Sequence, residues 1–118
     1  MHGKFWNGVS PYGICDAVYE DGKIWKGVSP YGICDAVYED GKIWKGVSPY
    51  GICDAVYQWD SNERYGKIWK GVSPYGACDA VYKDGKIWKG VFPTYVPDAV
   101  YEGDDGGAAA TFAILHLL

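Results

Sequence analysis

The stretch GKIWKGVSPYGICDAVYED, residues 22–40, is one copy of a unit that occurs five times in the 118-residue chain. A tryptophan marks each copy, and successive tryptophans are 19, 19, 25 and 19 residues apart. A fixed period near 20 residues predicts an architecture of stacked repeats. We therefore expect a single domain over residues 1–118, with units at about 3–21, 22–40, 41–65, 66–84 and 85–102, a linker at 103–107 and an apolar segment at 108–118.

Each unit contains two β-type runs, KIWKGV and ICDAVYE, which are separated by the turn signals S-P-Y-G and E-D-G-K. Connections this short require antiparallel pairing. The expected fold is all-β, an antiparallel meander of about ten short strands that is curled or barrel-like. Pro97 cannot donate a ladder hydrogen bond and suits an edge strand, which argues against full closure. The alternative is an elongated single-layer ladder that dimerises.

The odd length of the unit restricts its turns, because side chains alternate between the two faces of a strand. The faces repeat in space only if one connection in each unit has an odd number of residues. Asp21-Gly22 suits a two-residue type I′ turn, whereas Pro30-Tyr31-Gly32 suits a three-residue turn with glycine in the left-handed region. This register pairs Trp25 with Val18 across one turn and with Val37 across the other.

The register sorts the side chains onto two faces. One face carries the Tyr, Ile, Ala, Lys and Cys rows with the row of Val28 and is the expected core side, while the other carries the Trp, Asp and Gly rows with the row of Val18 and Val37. The apolar tail AAATFAILHLL is expected to cover the core face, either as a buried helix with Asp105 as its cap or as an eleventh strand. The extra residues of the third unit lengthen one hairpin by an even number, with Asn62-Glu63 at its tip.

The stretch VYEDGKIWKGV resembles the hairpin of MORN repeats, in which an aromatic residue and a glycine follow D-G at similar offsets. The resemblance covers about half of each unit. Trp stands where that family usually has Tyr, the family's G-x-G segment is absent, and the unit here is shorter. The resemblance implies a scaffold or membrane-tethering module without catalysis.

Composition excludes several partners. The net charge is −4 with Lys, Asp and Glu interspersed, so no basic surface for nucleic acid is expected. No segment reaches the roughly 20 apolar residues of a membrane span, and the N-terminus lacks the apolar centre of a signal peptide. We therefore expect a cytoplasmic protein without cofactors.

The cysteines form a row of their own. Neighbouring members are expected two strands apart, roughly 9.6 Å at about 4.8 Å per strand, which exceeds the reach of a disulfide. Shared metal binding would require the sulfurs to lie closer still. We therefore interpret them as small buried apolar residues without a metal: Cys15, Cys34, Cys53 and Cys78.

The face with the Trp row is the candidate binding surface. An aromatic plate beside a carboxylate and a glycine notch suits a sugar ring or a small organic cation. The alternative is that each Trp packs between two Val residues as a cross-strand ladder. The predicted ligand-binding residues are Trp25, Trp44, Trp69, Trp88, Asp16, Asp35, Asp54, Asp79 and, in the insertion, Trp59.

Catalysis is not expected from this chain. Equivalent aspartates in every unit do not resemble one differentiated acid–base pair, and no phosphate-binding loop or nucleophile elbow is present. Only the insertion at Gln58–Tyr65 and the divergent unit at Phe92–Pro97 break the repetition, so a unique site is expected there. The sequence therefore predicts a binding module for a carbohydrate or an organic cation. The alternative is a structural scaffold that acts through protein partners or as a homodimer.

Overall fold

Ten antiparallel strands close into a barrel in the computed structural model, which describes residues 2–118 apart from the side chain of Asp105. Strands that are consecutive in sequence are neighbours, and β1 pairs with β10 to complete the closure. The strands are β1 (His2–Asn7), β2 (Ala17–Glu20), β3 (Lys23–Lys26), β4 (Ala36–Glu39), β5 (Lys42–Lys45), β6 (Ala55–Asp60), β7 (Tyr65–Lys70), β8 (Ala80–Lys83), β9 (Lys86–Lys89) and β10 (Ala99–Glu102).

This architecture confirms the all-β, barrel-like meander, and it shows that the elongated ladder is wrong. The argument from Pro97 against closure is also wrong. Pro97 lies in the loop before β10 and not within a strand, so its missing N–H removes no ladder hydrogen bond. The closing pair instead joins Trp6 of β1 to Val100 of β10.

The short hairpins follow the predicted register. Glu20 pairs with Lys23, Tyr19 with Ile24, and Val18 with Trp25. Asp21 and Gly22 both have positive φ, at 49° and 85°, as a type I′ turn requires. In the longer third hairpin the pairing continues to Asp60 and Tyr65, which leaves 61–64 as the turn and Asn62-Glu63 at its centre.

The other connection is longer than predicted. Five nine-residue loops, named L1 to L5, join successive hairpins and comprise residues 8–16, 27–35, 46–54, 71–79 and 90–98. The three-residue proline turn is therefore wrong, and Ile24 pairs with Ala36 instead of Tyr38. The shift is two residues, an even number, so the sorting of faces survives.

The loops are longer than predicted because Gly27, which has φ 105°, ends β3 immediately after Lys26. A left-handed backbone at this point turns the chain away from the ladder, and glycine adopts it without strain. The loops extend sideways from the barrel, and the whole molecule measures 37 × 36 × 21 Å.

The interior of the barrel is lined by three rows with one residue from each unit. The Tyr and Ile rows supply bulk, whereas the Ala row, fully buried, leaves space at the centre. Ten strands enclose a wider lumen than the eight that side chains alone can fill. The rows are Phe5, Ile24, Ile43, Ile68 and Ile87; Ala17, Ala36, Ala55, Ala80 and Ala99; and Tyr19, Tyr38, Tyr57, Tyr82 and Tyr101.

The C-terminal segment fills this lumen as a helix, which confirms one of the two predicted forms. Helix α1 (Asp105–Phe112) continues into a π-helical turn at Ala113–Leu117. It begins earlier than the predicted segment 108–118, and its N-cap residue is Asp104, which makes no side-chain capping bond. The predicted cap, Asp105, has its side chain outside the described part of the structure. Ala108, Ala109 and Ala110 are completely buried against the barrel.

Small residues let the helix enter beside the tyrosine row. A Cβ atom at Gly107 would overlap the rings of Tyr101 and Tyr19, and one at Gly106 would overlap Tyr38. At the far end, Phe112 packs between Phe5 and His116, with ring centroids 6.3 and 4.7 Å away. Burial and the nearby Lys89 lower the pKa of His116 from its ordinary value. The helix is therefore the centre of the hydrophobic core.

Candidate functional site

The tryptophan row lies on the outer face of the barrel beneath the long loops. All five indoles of the row are only 6–9% exposed. They are buried together with the valines of the strands, namely Val18, Val37, Val56, Val81 and Val100. In four units the indole Nε1–H donates to the carbonyl of the left-handed loop glycine seven residues later, at 3.1–3.2 Å. The expected ligand plate at Trp25, Trp44, Trp69 and Trp88 is therefore covered by the chain itself.

The aspartate row fixes the base of each loop. The Oδ2 atom of Asp35 accepts a hydrogen bond of 2.8 Å from the backbone N–H of Lys26, the last residue of β3. Asp16, Asp54, Asp79 and Asp98 make the same bond in their own units. Each carboxylate replaces the hydrogen-bond acceptor that the strand loses where the loop begins. The aspartates therefore stabilise the loops.

The cysteine row lies on the opposite side of the sheet from that predicted. Cys15 and Cys34 are buried with the Trp and Val rows and not in the lumen. The reason is that each strand begins only at the Ala two residues later, so the alternation of faces does not extend to the Cys. Each Sγ lies 3.6–3.8 Å from the carbonyl of the first glycine of the next loop. All four thiols are free, as expected.

The glycines expected to form notches beside the Trp row lie at the start of the long loops and not within the strands. Gly27, Gly46, Gly71 and Gly90 are the first residues of their loops' left-handed turns, with φ between 102° and 106°. They redirect the chain, and an added Cβ at any of them would meet open space.

The fifth unit lacks the indole hydrogen bond. Tyr95 occupies the position of the left-handed glycine, and its φ is not positive. The Nε1 atom of Trp88 is consequently buried without a hydrogen-bond partner. The sequence shows that Phe92–Pro97 breaks the repetition, but it does not indicate this consequence for Trp88.

This difference yields a testable prediction. Trp25→Phe removes an indole N–H that donates to the Gly32 carbonyl, so this carbonyl loses its partner. Trp88→Phe removes an indole N–H that makes no hydrogen bond. We expect Trp25→Phe to lower the free energy of unfolding by about 1 kcal/mol more than Trp88→Phe does. Urea unfolding of both variants measures the difference. Equal losses, or a larger loss for Trp88→Phe, would contradict the assigned hydrogen bond.

The most exposed apolar residues lie at the tips of the long loops, a surface that the sequence analysis missed. Tyr12, Tyr31, Tyr50 and Tyr75 are 80–82% exposed. Each lies in a hexapeptide that has no charged residue. The signal was available, because V-S-P-Y-G-I contains no charged residue. It was not recognised because the stretch was divided between two strands and a tight turn. The exposed neighbours are Val9, Ile14, Val28, Ile33, Val47, Ile52, Val72, Phe92, Tyr95 and Val96.

Adjacent loops share apolar surface. Ile14 of L1 and Val28 of L2 line the same open cleft, which reaches Trp6 and Cys15 beneath them. We call the exposed apolar tips of L1 to L5 the loop rim, in which L1 and L2 share one apolar surface. Contiguous apolar surface of this kind in a folded chain marks an interaction site.

The insertion in the third unit creates a different cleft, as its unique sequence suggested. A cavity of about 430 Å³ opens between the β6–β7 hairpin and L4. Its lining includes two of the predicted ligand-binding residues, Trp59, which is 49% exposed, and Trp69, which is buried. Gln58, Asp60 and Ser61 come from the insertion, where a unique site was expected, and Lys67, Pro74 and Gly76 complete the lining.

Two classes of site are missing from the described residues. Among residues 2–118 no group of three or more His, Cys, Asp or Glu side chains is arranged to hold a metal ion. No helix in that range is both long and apolar enough to cross a membrane.

Comparisons with protein-family models, curated proteins and solved structures find no significant match. The resemblance to MORN repeats therefore stays a prediction.

Proposed function

We propose that this chain is a non-catalytic scaffold that associates with further copies of itself through the loop rim. The observation that carries the proposal is the 80–82% exposure of one Tyr in each of L1 to L4. A folding chain normally buries such side chains or keeps them apart on its surface. Here the architecture instead repeats them around the barrel, while aspartate and indole hydrogen bonds hold L1 to L4 in place.

Charge favours a second copy as the partner. The tip sequence carries no charged side chain in any of the five loops, so two rims approach without repulsion between like charges. The same patch on both molecules also satisfies the self-complementarity of a two-fold interface. A partner of strongly basic or acidic character would find no complementary charge at the tips.

The available area is sufficient for a stable contact. Burying one tyrosine removes about 150–250 Å² from water, and each loop adds exposed Val and Ile neighbours. Two adjacent loops from each of two copies therefore reach the range of about 1,200–2,000 Å² of specific interfaces. Tyrosine is also among the residues that carry most of the binding energy in such contacts.

Sedimentation velocity over the micromolar to millimolar range tests the proposal. The wild-type chain is expected to self-associate. The quadruple variant Tyr12→Ser, Tyr31→Ser, Tyr50→Ser and Tyr75→Ser is expected to bind at least about 100-fold more weakly. The matched control replaces four exposed residues at the opposite turns without changing the net charge: Glu39→Ser, Lys42→Ser, Lys86→Ser and Glu102→Ser.

The control variant is expected to associate like the wild type, and both variants are expected to keep the far-ultraviolet circular dichroism of the wild-type barrel. A wild-type chain that remains monomeric at millimolar concentration would overturn the proposal. Equal weakening by the control substitutions would also overturn it, because the contact would then not lie on the loop rim.

A further inference from the structure

The cleft beside the third hairpin differs chemically from the loop rim. Polar side chains of several kinds converge on it: an amide, a hydroxyl, a carboxylate and an ammonium group, from Gln58, Ser61, Asp60 and Lys67. Pro74 and the edge of Trp69 add apolar surface from the side of L4. A cavity of about 430 Å³ lies within the range of about 300–1,000 Å³ that is typical of small-molecule sites.

The charged groups of the cleft are held in fixed positions. Asp60 Oδ1 accepts the backbone N–H groups of Asn62 and Glu63 at 3.0 and 3.1 Å, and Oδ2 pairs with Lys67 Nζ at 3.1 Å. The Lys67 ammonium also lies 5.5 Å from the centre of the Tyr65 ring. The hydrogen bonds from the Glu63 backbone and from Lys67 hold the pKa of Asp60 below its ordinary value. The hydrogen bond to Asp60 raises the pKa of Lys67.

The cleft depends on the insertion of the third unit. The insertion extends the β6–β7 pairing by two residue pairs, Trp59 with Gly66 and Asp60 with Tyr65, beyond the pairing of an ordinary hairpin. The extended hairpin raises Trp59, Asp60 and Ser61 beside L4, where the other units have only a two-residue turn. A half-exposed tryptophan in the one irregular hairpin has no role in the core, in contrast to the five buried ones.

We propose that this cleft binds a short neutral saccharide through the side chains of Gln58, Asp60, Ser61 and Lys67, with Pro74 and the edge of Trp69 as its apolar surface. A sugar presents hydroxyl groups that both donate and accept, and the cleft offers both types of partner. Aromatic and proline surface covers the apolar face of a sugar ring.

The charge pattern selects this ligand class over the organic cation that the sequence left open. Asp60 and Lys67 neutralise each other at 3.1 Å, so the cleft offers neither a free carboxylate to a cation nor a free ammonium to an anion. Each of the two groups still has hydrogen-bonding capacity left, because both side chains remain about one quarter exposed. A site built from such partners favours a ligand that carries hydroxyl groups over an analogue that lacks them.

Nuclear magnetic resonance titration of the full chain tests the proposal. The probes are cellotriose, maltotriose, mannotriose and chitotriose, with tetramethylammonium chloride and sodium sulfate as charged controls. At least one trisaccharide is expected to give saturable shifts at the backbone amides of Gln58–Ser61 and at the indole N–H of Trp69. The two controls are expected to leave those signals unchanged.

Variants locate the binding. Asp60→Asn and Gln58→Ala are each expected to weaken the trisaccharide at least about 10-fold, the loss of about one hydrogen bond to a charged or amide group. The matched control is Asp40→Asn, which changes an exposed aspartate in an ordinary hairpin turn and should leave the affinity unchanged. Binding of tetramethylammonium at these residues, no response to any trisaccharide, or full affinity in both cleft variants would overturn the proposal.

Discussion

Replacing Phe112 by Ala is expected to lower the free energy of unfolding by about 3–5 kcal/mol, because the side chain is completely buried inside the barrel. Phe112 packs against Phe5 and His116, so the truncation leaves a cavity at the centre of the core. The barrel wall is closed by hydrogen bonds and cannot collapse onto the space. Guanidinium chloride unfolding followed by circular dichroism measures the loss.

The matched control is Phe92→Ala, the same change at a residue of L5 that is 68% exposed. It is expected to change the stability by less than about 0.5 kcal/mol. Similar losses for the two variants would mean that α1 does not fill the lumen. A barrel that keeps its full stability in Phe112→Ala would contradict the account of the core.

Replacing Trp44 by Ala is the second change with a large expected effect, also about 3–5 kcal/mol. The indole is 8% exposed, packs in the outer cluster with Val56 and Cys53, and donates to the Gly51 carbonyl at 3.2 Å. Its loss removes the apolar contact and leaves the carbonyl of L3 without its partner. Denaturant unfolding of the variant measures the change.

Trp59→Ala provides the comparison, because this tryptophan is 49% exposed and lies at the far end of the longest hairpin. Its expected cost is about 1 kcal/mol or less, since little apolar surface returns to water. Should Trp59→Ala prove as destabilising as Trp44→Ala, the distinction between a structural row and one free tryptophan would be wrong.

Local chemistry in the sequence was sufficient to predict the short hairpins. Asp21-Gly22 can adopt only a few conformations, and a two-residue turn fixes the register of both flanking strands, from Glu20 and Lys23 onward. The burial of the Tyr, Ile and Ala rows follows from the same alternation. These features depend on neighbours in sequence, which a single chain reveals directly.

The long loops could not be predicted in this way, because distant partners define them. Pro30-Tyr31-Gly32 is compatible with a tight turn, and Gly32 is indeed left-handed at φ 82°. The deciding contacts are the bond from Trp25 to the Gly32 carbonyl and the bond from Lys26 to Asp35, which replace ladder hydrogen bonds with side-chain ones. A three-residue turn and a nine-residue loop both have an odd number of residues, so the alternation of faces cannot distinguish them.

The same limitation explains the candidate site. Sequence reasoning placed the Trp and Asp rows together on one face, and the structure does bring both rows to the outside of the barrel. It could not foresee that the loop following each Trp covers it, because that requires the path of residues 27–35. Trp59 is the one half-exposed tryptophan of the predicted set, because it lies in the insertion and outside the row that the long loops cover.

Acrylamide quenching of tryptophan fluorescence in the variant Trp59→Phe tests the central claim most directly, namely that the long loops cover the tryptophan row. The five remaining indoles are 6–9% exposed. Their emission is therefore expected to be blue-shifted relative to the unfolded chain and to resist the quencher strongly. Quenching as efficient in the folded variant as in the unfolded chain would show that the indoles are open to solvent and would contradict the account.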